Sequence, residues 1–239
     1  YYYCISTYEE KDIPKSAGFI WNPKKRRWET EAADFANRLL QYADATTRAL
    51  LEQKMQELKE SIAASRLTSV DTVFPVPEGL EYLPFQKAGI AYALQRPGTL
   101  IADEMGLGKT IEAIGIINAD TSIRKVLIIC PASLKLNWKR ELEKWLVEKR
   151  TIEILRDKYV DADVIICNYD ILRKIQELKR DWDLVVVDEC HFCKNKKAQR
   201  TRATLEICKK AKKKLSRNGK TLNINMLKNN LPGLKKIKE

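Results

Sequence analysis

Residues 99–110 read Thr99-Leu-Ile-Ala-Asp103-Glu104-Met105-Gly106-Leu107-Gly108-Lys109-Thr110, and Ile111, Ala113, Ile114 and Ile117 then recur at helical spacing. An apolar run, a glycine-bearing loop and an amphipathic helix in immediate succession form a strand, a phosphate loop and a helix, the repeating unit of open parallel sheets. N–H groups at such a helix start point outward with the positive end of the helix dipole, and Gly106 and Gly108 let them approach phosphate oxygens closely. Lys109 is then placed to reach the β and γ phosphates, and the Thr110 hydroxyl to hold magnesium. The strict spacing Gly-x-x-x-x-Gly-Lys-Thr is not met, because Asp103 stands where the first glycine falls.

The chain after this loop alternates short apolar runs with helical patterns. Val126 to Cys130 is a continuous apolar run, as expected for a parallel strand covered on both faces. Pro131-Ala132-Ser133 ends it, and Leu136, Trp138, Leu142 and Trp145 follow at near-helical spacing. Residues 151–155 and 163–167 are further strand candidates, the second ending in Asn168-Tyr169-Asp170, and Leu184 to Val187 leads into Asp188-Glu189-Cys190-His191. Such alternation predicts a doubly wound α/β domain, with ligands gathered at the carboxyl ends of its strands. Asp188 and Glu189 fall at such an end, 79 residues after Lys109. A nucleotide hydrolase needs one carboxylate to orient magnesium and another to position attacking water, and adjacent acids at a strand end supply both.

Other chemistries find less support. Cys190-His191-Phe192-Cys193 offers one Cys-x-x-Cys with the only histidine and no second pair, short of a four-ligand zinc site. His191 is better read as linking the nucleotide site to a neighbouring element. No nucleophile-elbow motif accompanies it. The six cysteines show no disulfide-framework spacing, and no run reaches membrane-span length, which points to a reducing, intracellular setting. Tyr1 rather than Met opens the chain, and the true start is expected upstream. The net charge of +12 is concentrated late: fifteen of the 44 Lys and Arg follow Asn195, against two acidic residues. A basic tail binds phosphates by counterion release or is simply solvated.

Ahead of the loop, residues 1–8 are rich in β-formers, and Gly18 to Thr30 reads as a hairpin turning at Asn22-Pro23. Trp21 and Trp28 then approach each other among Lys24, Lys25, Arg26 and Arg27. Aromatics interleaved with cations suit nucleic-acid contact, and equally suit a small hairpin that uses its tryptophans as a core. The run Ile13-Pro14-x-x-Ala17-Gly18-x-x-Trp21-Asn22-Pro23-x-x-x-Arg27-Trp28 resembles the HARP-like module of annealing helicases. Residues 31–66 carry a helical rhythm, with Asp44 as a cap and a heptad-like stripe of Leu51, Met55, Leu58 and Ile62 suited to packing on a neighbouring domain. Pro75, Pro77 and Gly79 break periodicity and predict a linker at 69–82. Gln86, just upstream of the loop, could read an adenine edge through its amide.

The order Leu83-Pro84-Phe85-Gln86, Asp103 to Thr110, Pro131-Ala132-Ser133-Leu134 with Asn137-Trp138, Asn168-Tyr169 and Asp188-Glu189-Cys190-His191 resembles the Swi/Snf-type branch of superfamily-two helicases. That family uses Asp-Glu-Met-Gly-Leu-Gly-Lys-Thr as its phosphate loop, which accounts for Asp103. The resemblance implies a RecA-like first motor lobe that binds ATP with magnesium and contacts duplex or branched DNA. It implies that Gln86 recognises adenine, that Asp103, Glu104, Met105, Gly106, Leu107, Gly108, Lys109 and Thr110 bind the nucleotide, and that Thr110 and Asp188 hold magnesium. Lys109, Asp188 and Glu189 are the implied catalytic set. Pro131, Ser133, Asn168 and Tyr169 face DNA by the same implication, joined by Trp21, Lys24, Lys25, Arg27 and Trp28 from the hairpin. With the HARP-like start, the chain looks like a bacterial or phage relative of annealing helicases, placed in the cytoplasm, or in the nucleus if eukaryotic.

The expected organisation is α/β: a HARP-like module at 1–40, a helical connector at 41–68, a linker at 69–82, the RecA-like lobe at 83–213 and a disordered basic tail at 214–239. After Lys213 the family pattern calls for a strand and a Thr-Gly-Thr-Pro-like motif, whereas this chain reads Lys214-Leu-Ser-Arg-Asn-Gly-Lys-Thr. The expectation is therefore an incomplete first lobe without the second lobe, binding ATP but hydrolysing it poorly alone. The alternatives are a split motor completed by another polypeptide, or a DNA-binding fragment without catalysis.

Overall fold

The computed structural model describes residues 2–104, 106–195, 197–217 and the two-residue strand Leu234–Lys235. The chain divides into two compact units, Tyr1–Ala63 and Ala64–Glu239.

In the first unit the β-rich start supplies β1 (Tyr2–Cys4), followed by α1 (Asp12–Ser16), β2 (Ile20–Asn22), β3 (Arg27–Thr30), α2 (Ala33–Asn37), a short 3-10 turn and α3 (Ala45–Ser65). The antiparallel order is β1-β3-β2, with Trp21 directly opposite Trp28. The hairpin turns where Asn22 predicts, because the Asn22 Oδ1 accepts from the Lys24 and Lys25 amides at 3.1 and 3.2 Å. Asp44 caps α3 through the Thr47 amide at 2.8 Å. Ala17, Phe19, Ala36 and Leu51 form the core of this unit, with Trp28, Leu39 and Leu40 against it. Of the heptad-like stripe, Leu51 is buried, whereas Leu58 and Ile62 are exposed.

Glu29 ties this hairpin together, accepting from the Asn22 amide at 2.9 Å and the Arg27 Nε at 2.7 Å. These bonds, the Asn22 contact foremost and the Arg27 contact next, hold its carboxyl down to about 2. The folded value lies below that of an unfolded glutamate, about 4.3. The resulting stabilisation is present above pH ~4.3 and is lost as the pH falls towards 2. Carboxyl-carbon NMR should place the Glu29 midpoint near 2. A midpoint near the unperturbed ~4.3 would show that the pairing does not persist in solution.

In the second unit the strand-helix alternation is realised as α4 (Pro84–Leu94), β4 (Gly98–Ile101), α5 (Lys109–Ala119), β5 (Val126–Cys130), α6 (Lys135–Trp145), β6 (Ile152–Ile154), β7 (Val164–Asn168), β8 (Trp182–Val187), α7 (Gln199–Lys210), β9 (Ala211–Arg217) and β10 (Leu234–Lys235). The sheet order is β10-β4-β9-β8-β5-β7-β6, and every pairing is parallel. The apolar runs divide by the two-residue strand period. Val126, Ile128, Leu184 and Val186 enter a core shared with Ile114 and Ile117 of α5 and Trp138 and Leu142 of α6. Leu127, Ile129, Val185 and Val187 enter the opposite core with Ile207 of α7 and Leu172. Both faces are thus covered, the reason these strands are apolar throughout.

Two expected boundaries are corrected. The stretch at 69–82 lacks regular structure, yet Phe74 and Tyr82 are buried in the α5–α6 core with Val70, Val76 and Leu80 packed on it. Its prolines prevent a helix or strand without preventing its side chains from packing, so it is a strap of the lobe and not a linker. The lobe also does not end at Lys213, because β9 lies between β4 and β8. Lys212 pairs with Asp183 at 2.8 Å, and Lys213 reaches Asp120 at 2.9 Å and the Leu94 carbonyl at 3.0 Å. Their long stems carry the charges off the strand start. A lysine run therefore disguised a sheet strand as a tail. The rest of the expected tail, apart from Leu234–Lys235, lies outside the described residues. Among the described residues no helix is long and apolar enough to cross a membrane.

Candidate nucleotide site and nucleic-acid surfaces

β4 delivers the chain to the carboxyl edge of the sheet, and α5 begins at Lys109 after a loop in which Gly106 and Gly108 have φ of 88° and 78°. That conformation strongly favours glycine. A Cβ on Gly108 would also stand 2.5 Å from the Gln86 Nε2. The Lys109 amine folds over the loop, donating to the carbonyls of Asp103 at 2.8 Å and Glu104 at 2.5 Å. Burial, and secondly the neighbouring Arg217 cation, lower its pKa. Gln86 is buried, accepting from the Leu83 amide at 3.0 Å and donating to the Leu107 carbonyl at 3.1 Å. It braces the loop against α4 in this state. Thr110 is half-buried on the first turn of α5, and Met105 lies outside the described residues. Asp103 is buried, and neither of its carboxylate oxygens has a hydrogen-bond partner among the described residues.

At the end of β8, Asp188 is buried and engaged on every side. Its Oδ2 accepts from the Trp138 Nε1 at 2.7 Å, its Oδ1 from the Glu189 amide at 2.9 Å, and its carbonyl from the Tyr169 hydroxyl. The Arg217 Nη1 stands 3.6 Å from the same Oδ2. Glu189 has φ 49° and ψ 49°, a left-handed conformation rare for a side chain of its size. Its Oε2 pairs with the His191 Nδ1 at 2.9 Å, and His191 lies against Phe192, which stacks on Tyr169. His191 therefore orients the second carboxylate.

The sequence readings missed Trp138 and Arg217 as members of this site. Trp138 stands in the sequence as an apolar position of α6 and beside Asn137 in the motif order, but its bond to Asp188 is not legible there, since that carboxylate is 50 residues away. Arg217 was hidden in the apparent tail.

The loop fits a nucleotide's phosphates: its glycines open the backbone at the start of an eleven-residue helix, with a buried lysine beside them. Thr110 and Asp188 are the residues that would hold a magnesium ion. Each Asp188 carboxylate oxygen accepts one hydrogen bond and keeps a lone pair, and the Arg217 guanidinium stands 3.6 Å from Oδ2.

The residues expected to face DNA separate into two kinds. Ser133 is exposed beyond β5, while Pro131 and Asn168, after β5 and at the end of β7, are half-buried. Tyr169 is buried, and its hydroxyl is spent on the Asp188 carbonyl, so its side chain does not face a ligand surface. Its apolar ring fills the α7-side core. In the hairpin, Trp21 is 44% exposed and meets Trp28 edge-to-face at 5.5 Å. Trp28 packs on the core. Lys24 and Lys25 are exposed, Lys25 pairing with Glu29 at 3.2 Å, whereas Arg27 is less exposed, is held by Glu29 at 2.7 Å and stacks on Tyr3 at 4.3 Å. Arg27 is thus occupied as a brace. The core reading of the hairpin describes Trp28, while Trp21 leaves part of its ring exposed.

A parallel doubly wound sheet, with a phosphate loop after β4 and an Asp-Glu pair after β8, defines a nucleotide-binding lobe of RecA type. The chain belongs to the SNF2-related domain family, whose model matches residues 51–216 and so includes most of β9. It is 30% identical over 226 residues to a Bos taurus SWI/SNF-related matrix-associated actin-dependent regulator of chromatin subfamily A-like protein 1, covering 87% of this chain and 23% of that protein. It is 35% identical over 174 residues to the Bos taurus DNA annealing helicase and endonuclease ZRANB3, covering 66% of this chain and 16% of that protein. The chain thus spans less than a quarter of either relative. The Sulfolobus solfataricus SWI2/SNF2 ATPase core in complex with dsDNA superposes with a TM-score of 0.57 at 26% identity, covering 64% of this chain and 35% of that one.

Proposed function

We propose that this chain carries the ATP-binding lobe of a Swi/Snf-type DNA translocase of the annealing-helicase kind. The carrying observation is the Lys109 amine folded over a glycine loop at the start of α5, close enough to Glu189 for their charges to interact. Helix-start amides and Lys109 bind the phosphates, and Glu189, aligned by His191, orients an attacking water. Pro131, Ser133 and Asn168 offer a surface to the DNA backbone, and Trp21 with Lys24 and Lys25 offers stacking and charge to a frayed or branched end. Similarity to an annealing helicase and to an ATPase core seen with duplex DNA supports this reading. A second motor lobe is the partner that completes the site, and turnover, rather than binding, depends on it.

Calorimetric titration with ATP should give saturable binding by the full chain. Fluorescence anisotropy with a branched DNA should show that Trp21→Ala weakens binding about fivefold or more, the scale of one lost stacking contact. DNA affinity unchanged in that variant removes the hairpin from the reading, and absence of ATP binding removes the motor.

A further inference from the structure

Gln86 sits in the first turn of α4 and is 2% exposed. Its Oε1 accepts from the Leu83 amide at 3.0 Å, and its Nε2 donates to the Leu107 carbonyl at 3.1 Å. These two bonds fix which way the side-chain amide faces, because reversing it would set donor against donor and acceptor against acceptor. Leu107 lies between the two loop glycines of positive φ, immediately ahead of the start of α5. The amide is in close contact with the loop there, since a Cβ on Gly108 would stand 2.5 Å from the Nε2. A trans peptide is planar, with its C=O and N–H pointing in opposite directions, so the bond to the Leu107 carbonyl also aims the Gly108 N–H away from Gln86. That N–H belongs to the helix-start donors of a phosphate loop. Lys109 ties the beginning of the loop at the Asp103 and Glu104 carbonyls with the same ammonium that is offered to the phosphates. The tie from Gln86 uses a neutral group that no phosphate calls on.

We propose that Gln86 is a positioning residue for the triphosphate: by pinning the Leu107 carbonyl it presets the Gly108 N–H for a phosphate oxygen, and so raises affinity for the phosphate chain whatever base is attached. The inference rests on the phosphate-loop reading above. It goes beyond base recognition, for which the same amide keeps one N–H and one lone pair. A peptide set between two glycines has wide conformational freedom, which it loses when a ligand orders it. Holding that peptide in place beforehand removes this cost from binding.

The test is calorimetric titration of the full chain, in magnesium, with ATP and with inorganic tripolyphosphate, which carries no base. Wild type should bind both. Gln86→Met, which keeps the length of the side chain and deletes the amide, should weaken tripolyphosphate binding about threefold to tenfold, the scale of one hydrogen bond, and ATP binding by at least as much. A thermal melt establishes that the variant is folded. Gln86→Glu, which keeps the bond from the Leu83 amide and removes the donor to Leu107, repeats the test with a second side chain. Tripolyphosphate affinity unchanged in the variants while ATP weakens confines Gln86 to the base and overturns the assignment, as does wild-type affinity for both ligands. A wild-type chain that takes ATP and refuses tripolyphosphate also overturns it, because a preset loop needs no base, and leaves the phosphate loop intact. Failure of wild type to bind either ligand overturns the phosphate-loop reading as well.

Discussion

Lys109→Ala is expected to weaken ATP binding about a hundredfold or more while leaving the ligand-free fold within about 1 kcal/mol of wild type. The ammonium group now bonds to two loop carbonyls, a charge in search of a better acceptor. Hydrogen bonds to charged groups contribute about 1.5–3 kcal/mol each, so losing two to phosphate oxygens removes about 3–6 kcal/mol, at or beyond two decades of affinity. The ligand-free cost is smaller because burial already lowers the lysine pKa: the charge is held at a desolvation penalty that alanine relieves. Calorimetry and urea unfolding on the same variant check the two halves. A large loss of stability with an unchanged Kd would recast Lys109 as a loop strut.

Trp138→Ala is expected to remove a large part of the stability of the second unit. Trp138 is 1% exposed in the α5–α6 core, donates to Asp188 and lies under Arg217. Truncating a core tryptophan costs about 3–5 kcal/mol in lost contacts and cavity. Leaving a buried carboxylate without its donor adds about 1.5–3 kcal/mol. A typical domain is stable by only about 5–15 kcal/mol. Trp138→Phe separates the terms, since it keeps most of the ring and deletes the N–H; its expected loss is about 1.5–3 kcal/mol by urea unfolding. Stability equal to wild type in that variant would show that the Asp188 contact contributes nothing. Paired titrations with ATP should show weaker binding in Trp138→Phe, because the indole fixes both the carboxylate and the guanidinium.

His191 illustrates how far local pattern reaches. Its place after Asp188-Glu189 marks it as a site residue, and in the fold it does sit on Glu189. That the pairing is with its own second predecessor depends on Glu189 turning to φ 49°, which composition does not announce. Asn168-Tyr169 shows the opposite case. The pair ends a strand as its spacing predicts, yet Tyr169 points inward to the Asp188 carbonyl because the α7-side core has room for an aromatic ring there.

Sequence alone determined the parallel α/β class, the hairpin at Asn22, the cap at Asp44, and a phosphate loop at Asp103 to Thr110 with carboxylates at a later strand end. These are properties of periodicity and of neighbouring residues, which the chain carries wherever it goes. Tertiary structure alone decided that residues 69–82 belong to the lobe, that Lys212, Lys213 and Lys214 ride on a sheet strand, and that Trp138 and Arg217 converge on Asp188. Those facts depend on which distant strands become neighbours. Sheet order is set by burying both faces at once and not by any local preference, and it turned a basic run into the far wall of the site.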